Sequence, residues 1–352
     1  MTQLSEFLQN HISGRPYIRF RAIGSRKTGI GHVMRCSALA NVLIKKFPVA
    51  FDTDLIEPEV QVKIKNRLDE RVKFLSGKDE NCDENQIGQL IEIYDGYEFD
   101  TDTYALAKKR KNIVIVIEDH PGSYPHCDML ICHGPHAKPE MFDVDQCCRL
   151  ILGPEYALIN PCFFVSRAKP GQQIRRLFIF LGGGDVNQMT TDLITDILNI
   201  KSDMMIEAVL PQPDSSEMSK TAFHEDNVTF HDHISQENLA KLMIECDAAV
   251  IAGGSTCLET TSIGLPSFLV AVADNQILPC EAMNQKELAL YSKNILDKNS
   301  TERHRGLMML EQFLCDSSLR GKLVKNCAVA FRKSGAESVS QSIEKLVTEL
   351  GQ

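Results

Sequence analysis

The sequence predicts an α/β protein made of two doubly wound halves, each a parallel sheet with helices on its faces. Three observations lead to this prediction. Short buried strands alternate with helical patterns, the alternation restarts after a proline-containing stretch near the middle of the chain, and glycine-rich turns follow several strands. The length of 352 residues also exceeds what one hydrophobic core commonly serves, which favours two domains.

Apolar runs and helical periodicity give the order of the elements. In the first half, the predicted strands cover 17–23, 48–54, 112–119 and 128–132, and the predicted helices cover 2–12, 32–46 and 84–94. In the second half, a strand and glycine turn cover 175–185, further strands cover 204–210, 227–231 and 267–273, helices cover 188–200 and 236–246, and a strand, turn and helix cover 247–264.

These elements predict four segments. An N-terminal helical extension covers 1–16, a first domain 17–160, a linker 161–175, and a second domain with the terminal helices 176–352. Open α/β sheets bind ligands beyond the carboxyl ends of their strands, so we expect the ligand in a cleft between the two domains.

Composition excludes several classes of partner. The net charge is −9 and no long basic run occurs, so a nucleic-acid partner is not expected. No apolar run approaches the roughly 18 residues that span a bilayer, and the first residues do not read as a signal peptide. We therefore expect a cytoplasmic monomer without membrane insertion and without a cofactor.

The twelve cysteines raise the question of a metal site. They are scattered without a C-x-x-C pair, so most are expected to be small core residues. Histidines and cysteines crowd one region, however, and a zinc enzyme built on it is kept as an alternative although no standard ligand spacing occurs there. The potential ligands are His120, His126, Cys127, Cys132, His133 and His136.

Two glycine turns follow apolar strands in the second half, LGGGD at 181–185 and AGGSTCLE at 252–259. Glycine lets backbone amides approach a phosphate closely, and a helix N-terminus adds partial positive charge. Ser255 or Thr256 can cap the following helix, and Glu259 one turn later can accept hydrogen bonds from ribose hydroxyls. This combination favours a nucleoside-diphosphate ligand, whereas the simpler interpretation is a tight strand-to-helix turn with an ordinary cap.

The stretch TGIGHVMR, residues 28–35, places a histidine where a glycine turn becomes a helix. A neutral histidine facing a cleft can take a proton from water or a hydroxyl, an effect worth about 10²–10⁴-fold in rate. Arg35 lies one turn further along and can face an anionic ligand. The simpler interpretation is that His32 only caps its own helix.

Polar residues follow two other strands. Asp274, Asn275 and Gln276 come after SFLVAVA and offer the donors and acceptors that a sugar requires, although an ordinary helix cap is an equal alternative. The segment 118–120, Glu-Asp-His, ends a strand of the first half, where its pair of carboxylates can orient a sugar or assist the base; the simpler interpretation is an ordinary loop.

Together these motifs resemble one family. A strand, G-x-G-H-x-x-R and a helix in the first half, followed by a strand, G-G-S-T-x-x-E and then N-Q in the second, are similar to the PseG family of UDP-2,4-diacetamido-2,4,6-trideoxy-β-L-altropyranose hydrolases. That family includes SpsG-like proteins and is related to MurG-type glycosyltransferases. The resemblance covers roughly 17–290 and is supported by PHCDMLIC, GPEYALI, FLGGGD and ENLAKLM.

The resemblance implies a GT-B fold of two Rossmann-like domains with a UDP-sugar between them. It implies metal-independent hydrolysis at the anomeric carbon, with C–O cleavage and inversion, which releases UDP and a free sugar for nonulosonic acid biosynthesis of the pseudaminic or legionaminic type. His32 matches the family's general base. The segment 253–256 matches the diphosphate turn, Glu259 the ribose-binding glutamate, and Asn275-Gln276 the sugar-side pair.

The expected site residues follow from these matches. The residues expected to contact the UDP-sugar are Gly29, Gly31, Arg35, Gly183, Gly184, Ile234, Gly253, Gly254, Ser255, Thr256, Glu259, Asn275 and Gln276. Asp119, Tyr97 and Tyr156 are expected on the sugar side. Many family members carry Asp-His-Tyr after a first-domain strand, whereas the best match here, Asp95-Gly96-Tyr97, lacks the histidine.

Three other functions stay open at this point. A GT-B glycosyltransferase would use His32 to deprotonate an acceptor hydroxyl rather than water. A non-catalytic binder of nucleotide sugars would keep the ligand site without a working base, and the intact GIGH motif argues against it. A zinc enzyme would use the cluster at 120–136.

Overall fold

The computed structural model describes residues 16–25, 30–76, 89–165, 173–182, 187–210, 227–232, 234–298, 300–331 and 333–351. The helix expected over 2–12 lies outside these ranges. The chain divides into two compact units, with the boundaries at Ile159/Asn160 and Arg332/Lys333. The middle segment forms the second unit, and the segments on either side of it form the first.

The first unit contains a seven-stranded parallel sheet. Its strands are β1 (Tyr17–Ala22), β2 (Val49–Asp52), β3 (Lys73–Leu75), β4 (Leu90–Asp95), β5 (Ile113–Ile117), β6 (Met129–Cys132) and β7 (Arg149–Leu152). Its helices in this part of the chain are α1 (Gly31–Leu43), α2 (Pro58–Lys65) and α3 (Thr101–Lys109). The spatial order is β3-β2-β1-β4-β5-β6-β7, the Rossmann order, with the reversal between β1 and β4.

The second unit repeats this plan with six parallel strands. They are β8 (Arg176–Phe180), β9 (Met205–Val209), β10 (Val228–His231), β11 (Ala248–Ala252), β12 (Ser267–Val270) and β13 (Leu290–Tyr291). The helices are α4 (Asn187–Ile200), α5 (Gln236–Glu245), α6 (Thr256–Ile263), α7 (Ile277–Gln285), α8 (Arg303–Cys315) and α9 (Ser317–Ala330). The order β10-β9-β8-β11-β12-β13 reverses between β8 and β11. The prediction of two doubly wound α/β halves is confirmed.

Burial explains why these segments form central strands. Phe20 on β1 and Ile93 on β4 are fully buried, and both pack in one cluster with Leu39 of α1. Strands covered by helices on both faces bury nearly every side chain, and so their sequences are continuous apolar runs. Within the described ranges, no helix combines the length and apolar character needed to cross a membrane.

One predicted helix is wrong. The sequence analysis expected a helix over 84–94, but Leu90–Asp95 is strand β4 at the centre of the first sheet. Periodicity cannot separate a short, fully buried apolar run from a helical one. Ile91 and Ile93 pack on one face and Tyr94 is buried among other aromatic rings, so the sheet buries this run on both sides.

The C-terminal helix also differs from expectation. The sequence analysis placed it in the second domain, but α10 (Gly335–Leu350) belongs to the first unit. Val339, Ile343 and Leu346 of α10 are buried in the same core as α1. Amphipathicity predicts that a helix buries one face, but it does not identify the sheet that receives it.

The linker expected over 161–175 is shorter on its N-terminal side. The second unit begins at Asn160, and the Ser262 hydroxyl of α6 donates a hydrogen bond to the Phe163 carbonyl at 3.0 Å. Phe163 is itself fully buried. This segment is therefore part of the second unit's packed structure.

Candidate active site

The topological switch of the first sheet brings two predicted regions together. Strands β1 and β4 are neighbours in register, with Ala22 opposite Asp95, so the loop after β1 and the end of β4 meet at one edge. His32, in the first turn of α1, follows β1. Its Nδ1 atom lies 2.7 Å from Oδ1 of Asp95, which only accepts, and 3.3 Å from a terminal nitrogen of Arg35, which only donates. The carboxylate is the closer partner, so we assign the proton of the neutral ring to Nδ1 and the lone pair to Nε2.

The other ring nitrogen of His32 has no protein partner in the part of the chain that the structure describes. His32 is 8% exposed and Asp95 is fully buried. The buried carboxylate therefore orients the imidazole ring through Nδ1, while Nε2 makes no hydrogen bond to a described residue. A histidine oriented by a buried carboxylate is the usual arrangement of a general base.

Arg35 has different partners from those expected. The sequence analysis assigned it to an anionic ligand, but its guanidinium is bound by two carboxylates of the protein. Nε donates to Asp95 Oδ2 at 2.7 Å, one terminal nitrogen donates to Asp95 Oδ1 at 2.6 Å, and the other donates to Asp119 Oδ2 at 2.6 Å. Arg35 therefore positions the two acids, and this bidentate geometry leaves little of it for a phosphate.

Charge compensation keeps both acids ionised. Burial raises the pKa of Asp95, but the Arg35 guanidinium and the hydrogen bonds from Arg35 and His32 more than offset this, so its pKa lies below the usual value. Burial likewise opposes ionisation of Asp119, and Arg35 again dominates and lowers its pKa. The Arg35 pKa is raised because the two carboxylates outweigh its burial. His32 therefore faces a carboxylate that stays charged at neutral pH.

Tyr97 packs beside this cluster. Its ring lies edge-on to His32 and to His120, with 4.8 Å between ring centroids in each case. Tyr97 is 55% exposed, and among the described residues its hydroxyl has no hydrogen-bond partner. Asp119 and Tyr97, both expected on the sugar side, thus lie next to the candidate base.

Gly96 forms the turn between Asp95 and Tyr97. It has φ of +153°, and a Cβ there would lie 2.6 Å from Cδ1 of Ile23. A side chain at this position would therefore need the Ile23 side chain to move.

We expect Gly96→Ala to destabilise the protein by about 1–3 kcal/mol, because the new Cβ meets Ile23 in a backbone region that L-residues avoid. Urea denaturation measures the change. The matched control is Gly321→Ala in α9, where a Cβ would meet nothing within 4 Å and helix propensity favours alanine. Equal stability of the Gly96 variant and wild type would contradict this account.

In the second unit, the turn after β11 offers backbone donors. The Gly253 amide is already used, because it donates to the Val270 carbonyl at 3.0 Å. The next three amides, those of Gly254, Ser255 and Thr256, have no acceptor among the described residues. They lie at the N-terminus of α6, where the helix dipole favours an anion.

The glycine of this turn is required by packing. A Cβ on Gly253 would lie 2.2 Å from the Cys280 sulfur and 3.2 Å from Gln276 Cβ, so α7 packs directly on the turn. The expected serine cap is not formed: Ser255 occupies the N-cap position with helical dihedrals, and its side chain makes no capping hydrogen bond. Its exposed hydroxyl therefore remains available to a ligand.

The remaining residues of this turn have mixed positions. Glu259 is 8% exposed in the first turn of α6. Asn275 is exposed, as a ligand-contacting residue requires. Gln276 was predicted to bind the sugar through its side-chain amide, but its Oε1 atom accepts a hydrogen bond from the Val272 amide at 3.1 Å. This oxygen therefore stabilises the loop that precedes α7.

Several predicted residues lie elsewhere. Gly29, Gly183 and Gly184 fall outside the described ranges. Gly31 begins α1, and a Cβ built on it would meet no described atom within 4 Å. Tyr156 was expected on the sugar side, but it packs against the hydrophobic core of the first unit, so a structural role accounts for this residue. Ile234 is half-buried immediately before α5.

The histidine–cysteine region has structural partners. His136 Nε2 donates to the Asp119 carbonyl at 2.9 Å, and His133 Nδ1 accepts from the Leu158 amide at 3.2 Å. Burial lowers the pKa of His133 to about 4, which agrees with its neutral, accepting role. Across the described ranges, no three His, Cys, Asp or Glu residues form a group suited to a metal ion.

The sequence analysis did not assign a role to Asp95, although it noted the Asp-Gly-Tyr match. The available signal was a carboxylate at the end of a strand, followed by glycine. It was hidden because β4 was predicted as part of a helix, and so the neighbour relation between β1 and β4 could not be seen. His120 was also seen only as a potential metal ligand or loop residue.

No family model matches the chain. Among curated proteins, it is 24% identical over 290 residues to the spore coat polysaccharide biosynthesis protein SpsG of Bacillus subtilis, covering 76% of this chain and 81% of SpsG. It is 22% identical over 254 residues to the pseudaminic acid cytidylyltransferase and UDP-2,4-diacetamido-2,4,6-trideoxy-β-L-altropyranose hydrolase of Helicobacter pylori, covering 71% of this chain. This chain is a distant relative of the SpsG- and PseG-like proteins.

The curated relatives differ in length. The chain spans 43% of the Helicobacter pylori protein and 55% of the uncharacterised protein MJ1062 of Methanocaldococcus jannaschii, to which it is 24% identical over 272 residues, or 72% of this chain. The chain therefore matches only part of these two larger proteins.

Solved structures establish the fold. MurG of Acinetobacter baumannii aligns with a TM-score of 0.63 at 12% identity, covering 94% of this chain and 99% of MurG. UGT2 of Phytolacca americana, solved with UDP-2-fluoro-glucose and pterostilbene, aligns with a TM-score of 0.62 at 13% identity, covering 96% of this chain and all of UGT2. The chain has the GT-B fold, as the sequence resemblance implied.

Proposed function

We propose that this protein is a nucleotide-sugar enzyme that hydrolyses a UDP-activated diacetamido-trideoxy sugar at the anomeric carbon. The observation that carries the proposal is the His32–Asp95 pair, with Nδ1 held at 2.7 Å and Nε2 uncommitted among the described residues. The distant Helicobacter pylori relative, whose name includes such a hydrolase, supports this choice of reaction and substrate class.

In the proposed reaction, a water oxygen attacks the anomeric carbon while the bond from that carbon to the diphosphate oxygen breaks. UDP leaves with the electron pair of that bond. Nε2 of His32 takes the proton from the attacking water, and Asp95 stabilises the imidazolium that forms. Attack on the face opposite the leaving group inverts the anomeric configuration.

The nucleotide is assigned to the second unit. The amides of Gly254, Ser255 and Thr256 would bind the diphosphate and stabilise the charge that develops on it as it leaves. Glu259 would accept hydrogen bonds from the ribose hydroxyls. A carboxylate suits the ribose rather than the phosphate, which it would repel.

Glycosyl transfer is the second candidate. The same pair of residues can deprotonate an acceptor hydroxyl, and MurG and UGT2 resemble this chain over nearly its whole length. In this case His32 plays the same role, and only the nucleophile changes. The sugar-containing product of the reaction would then be a glycoside of the acceptor rather than a free sugar.

A single experiment separates the two candidates. Purified protein is mixed with UDP-2,4-diacetamido-2,4,6-trideoxyhexoses of defined configuration, without acceptor, and followed by ³¹P and ¹H NMR. Release of UDP together with a free, inverted sugar supports hydrolysis and identifies the isomer. Tight UDP binding without release from any isomer contradicts the hydrolase and favours transfer.

We expect Glu259→Ala to weaken UDP binding by roughly tenfold or more, because hydrogen bonds to a charged acceptor contribute about 1.5–3 kcal/mol. Isothermal calorimetry with UDP gives the affinity. The control ligand is inorganic diphosphate (pyrophosphate), whose affinity should change little because it has no ribose. Unchanged UDP affinity would remove Glu259 from the site.

A further inference from the structure

A second histidine–carboxylate pair lies beside the first. The segment after β5 contains Glu118, Asp119 and His120, and the His120 side chain is 46% exposed. Its Nδ1 atom lies 3.3 Å from Glu118 Oε1. The ring touches Tyr97, which on its other side touches His32.

The position of His120 is fixed from several directions. The buried Glu118 carboxylate accepts from the Asp119 amide at 2.7 Å and from the His120 amide at 3.1 Å, besides its contact with the ring. The Tyr124 hydroxyl donates to the His120 carbonyl at 3.1 Å. An exposed loop histidine ordinarily samples several rotamers, and ordering it costs entropy. The hydrogen bonds of this loop therefore hold the His120 ring in place although the ring is exposed and does not pack in the hydrophobic core.

This arrangement determines what the ring can bind. Glu118 is an acceptor, so the neutral His120 ring donates from Nδ1 and carries its lone pair at Nε2. Among the described residues, Nε2 of His120 has no hydrogen-bond partner. A ligand that meets this atom must therefore donate a hydrogen bond.

We propose that His120 recognises the sugar of the nucleotide-sugar substrate by accepting a hydrogen bond at Nε2 from a hydroxyl or an acetamido N–H group. The inference rests on the proposed function and adds a specificity residue to it. The ring of Tyr97 contacts both His32 and His120, with 4.8 Å between centroids in each case, so the His120 ring lies one aromatic ring away from the proposed base. An ionised diphosphate offers no donor, so an acceptor at Nε2 suits the sugar end of the substrate.

Two substitutions separate this role from a purely structural one. In His120→Asn, the amide nitrogen can replace Nδ1 and still donate to Glu118, but no atom remains at the position of Nε2. In His120→Gln, the longer side chain places an amide oxygen near that position, where it can accept. The matched control is His126→Asn, the same exchange at an exposed histidine nearby, where φ of +68° suits asparagine.

The readout is the affinity for UDP and for a UDP-2,4-diacetamido-2,4,6-trideoxyhexose, measured by calorimetry on the full chain. We expect His120→Asn to lose about tenfold in affinity for the UDP-sugar and nothing for UDP, which is the size of one lost hydrogen bond. His120→Gln should recover most of the loss, and His126→Asn should match wild type. For an isomer that is turned over, KM should rise while kcat changes little.

Other results overturn the proposal in distinguishable ways. Equal loss of UDP and UDP-sugar affinity in His120→Asn, equal behaviour of the asparagine and glutamine variants, or no loss at all would each end the role of His120. A wild-type protein that binds UDP but none of the UDP-sugars would end the proposed function itself, and with it this inference.

Discussion

Replacing His32 with alanine should lower turnover by about 10²–10⁴-fold or abolish it, while the affinity for UDP stays nearly unchanged. The physical reason is that Nε2 of His32 is the atom proposed to take the proton from the nucleophile, whereas UDP is assigned to the turn after β11. Release of UDP from the UDP-sugar, followed by ³¹P NMR, and UDP calorimetry measure the two quantities separately.

His32→Asn refines this experiment. Asparagine can keep a donor toward Asp95 but has no basic nitrogen, so its turnover should fall as far as that of the alanine variant. His304→Ala, at an exposed residue of α8, serves as a control for removal of a histidine. Turnover of His32→Ala equal to that of wild type would exclude His32 as the base and leave the hydrolase without its proton acceptor.

Asp95→Asn is the second large effect that we expect. Asparagine can donate to Nδ1 of His32, which would move the ring proton to Nε2 and remove the base, so turnover should fall by about 10³–10⁴-fold. The same change removes a charge from the buried Arg35, which keeps only Asp119 as an ionised partner. We therefore also expect a loss of about 3 kcal/mol in the free energy of unfolding.

The two effects of Asp95→Asn are measured independently. Urea denaturation gives the stability, and turnover is followed at a temperature where the variant is still folded. Asp102→Asn, the same exchange at an exposed residue in the first turn of α3, should leave turnover unchanged and cost at most about 1 kcal/mol of stability, from the lost interaction with the helix dipole. A folded Asp95→Asn protein with full turnover would show that Asp95 does not set the tautomer of His32.

The strands that frame the site could be predicted where their apolar runs were bounded by glycine turns. This holds for β1, β8 and β11, whereas β5 was predicted from its continuous apolar run. The order of these strands in the chain predicted the two doubly wound halves. Strand β4 was instead predicted as the end of a helix, because periodicity does not separate a short, fully buried strand from a buried helix, and the glycine after Asp95 was the one local signal for a strand end. Because β4 was not predicted, Asp95 was not recognised as a partner of His32, since that contact requires β4 to lie beside β1.

Arg35 illustrates a different limit. Its spacing of three residues from His32 correctly predicted that both lie on one side of α1, since both contact Asp95. A cation near a nucleotide-binding motif was then assigned to the ligand. Which anion it meets depends on which carboxylates the sheet brings within reach, and these are Asp95, 60 residues away in sequence, and Asp119, 84 residues away.

The sequence by itself determined the α/β class, the glycine turn after β11 and the place of His32 in the first turn of α1, because these depend on local composition and on periods of two to four residues. Only the tertiary structure decided the partners: Asp95 for His32, two acids for Arg35, Tyr97 between two histidines, and the first unit for the C-terminal helix. Such pairings follow from the order of strands in the sheet. That order is set by the packing of segments distant in the chain, which no local pattern records.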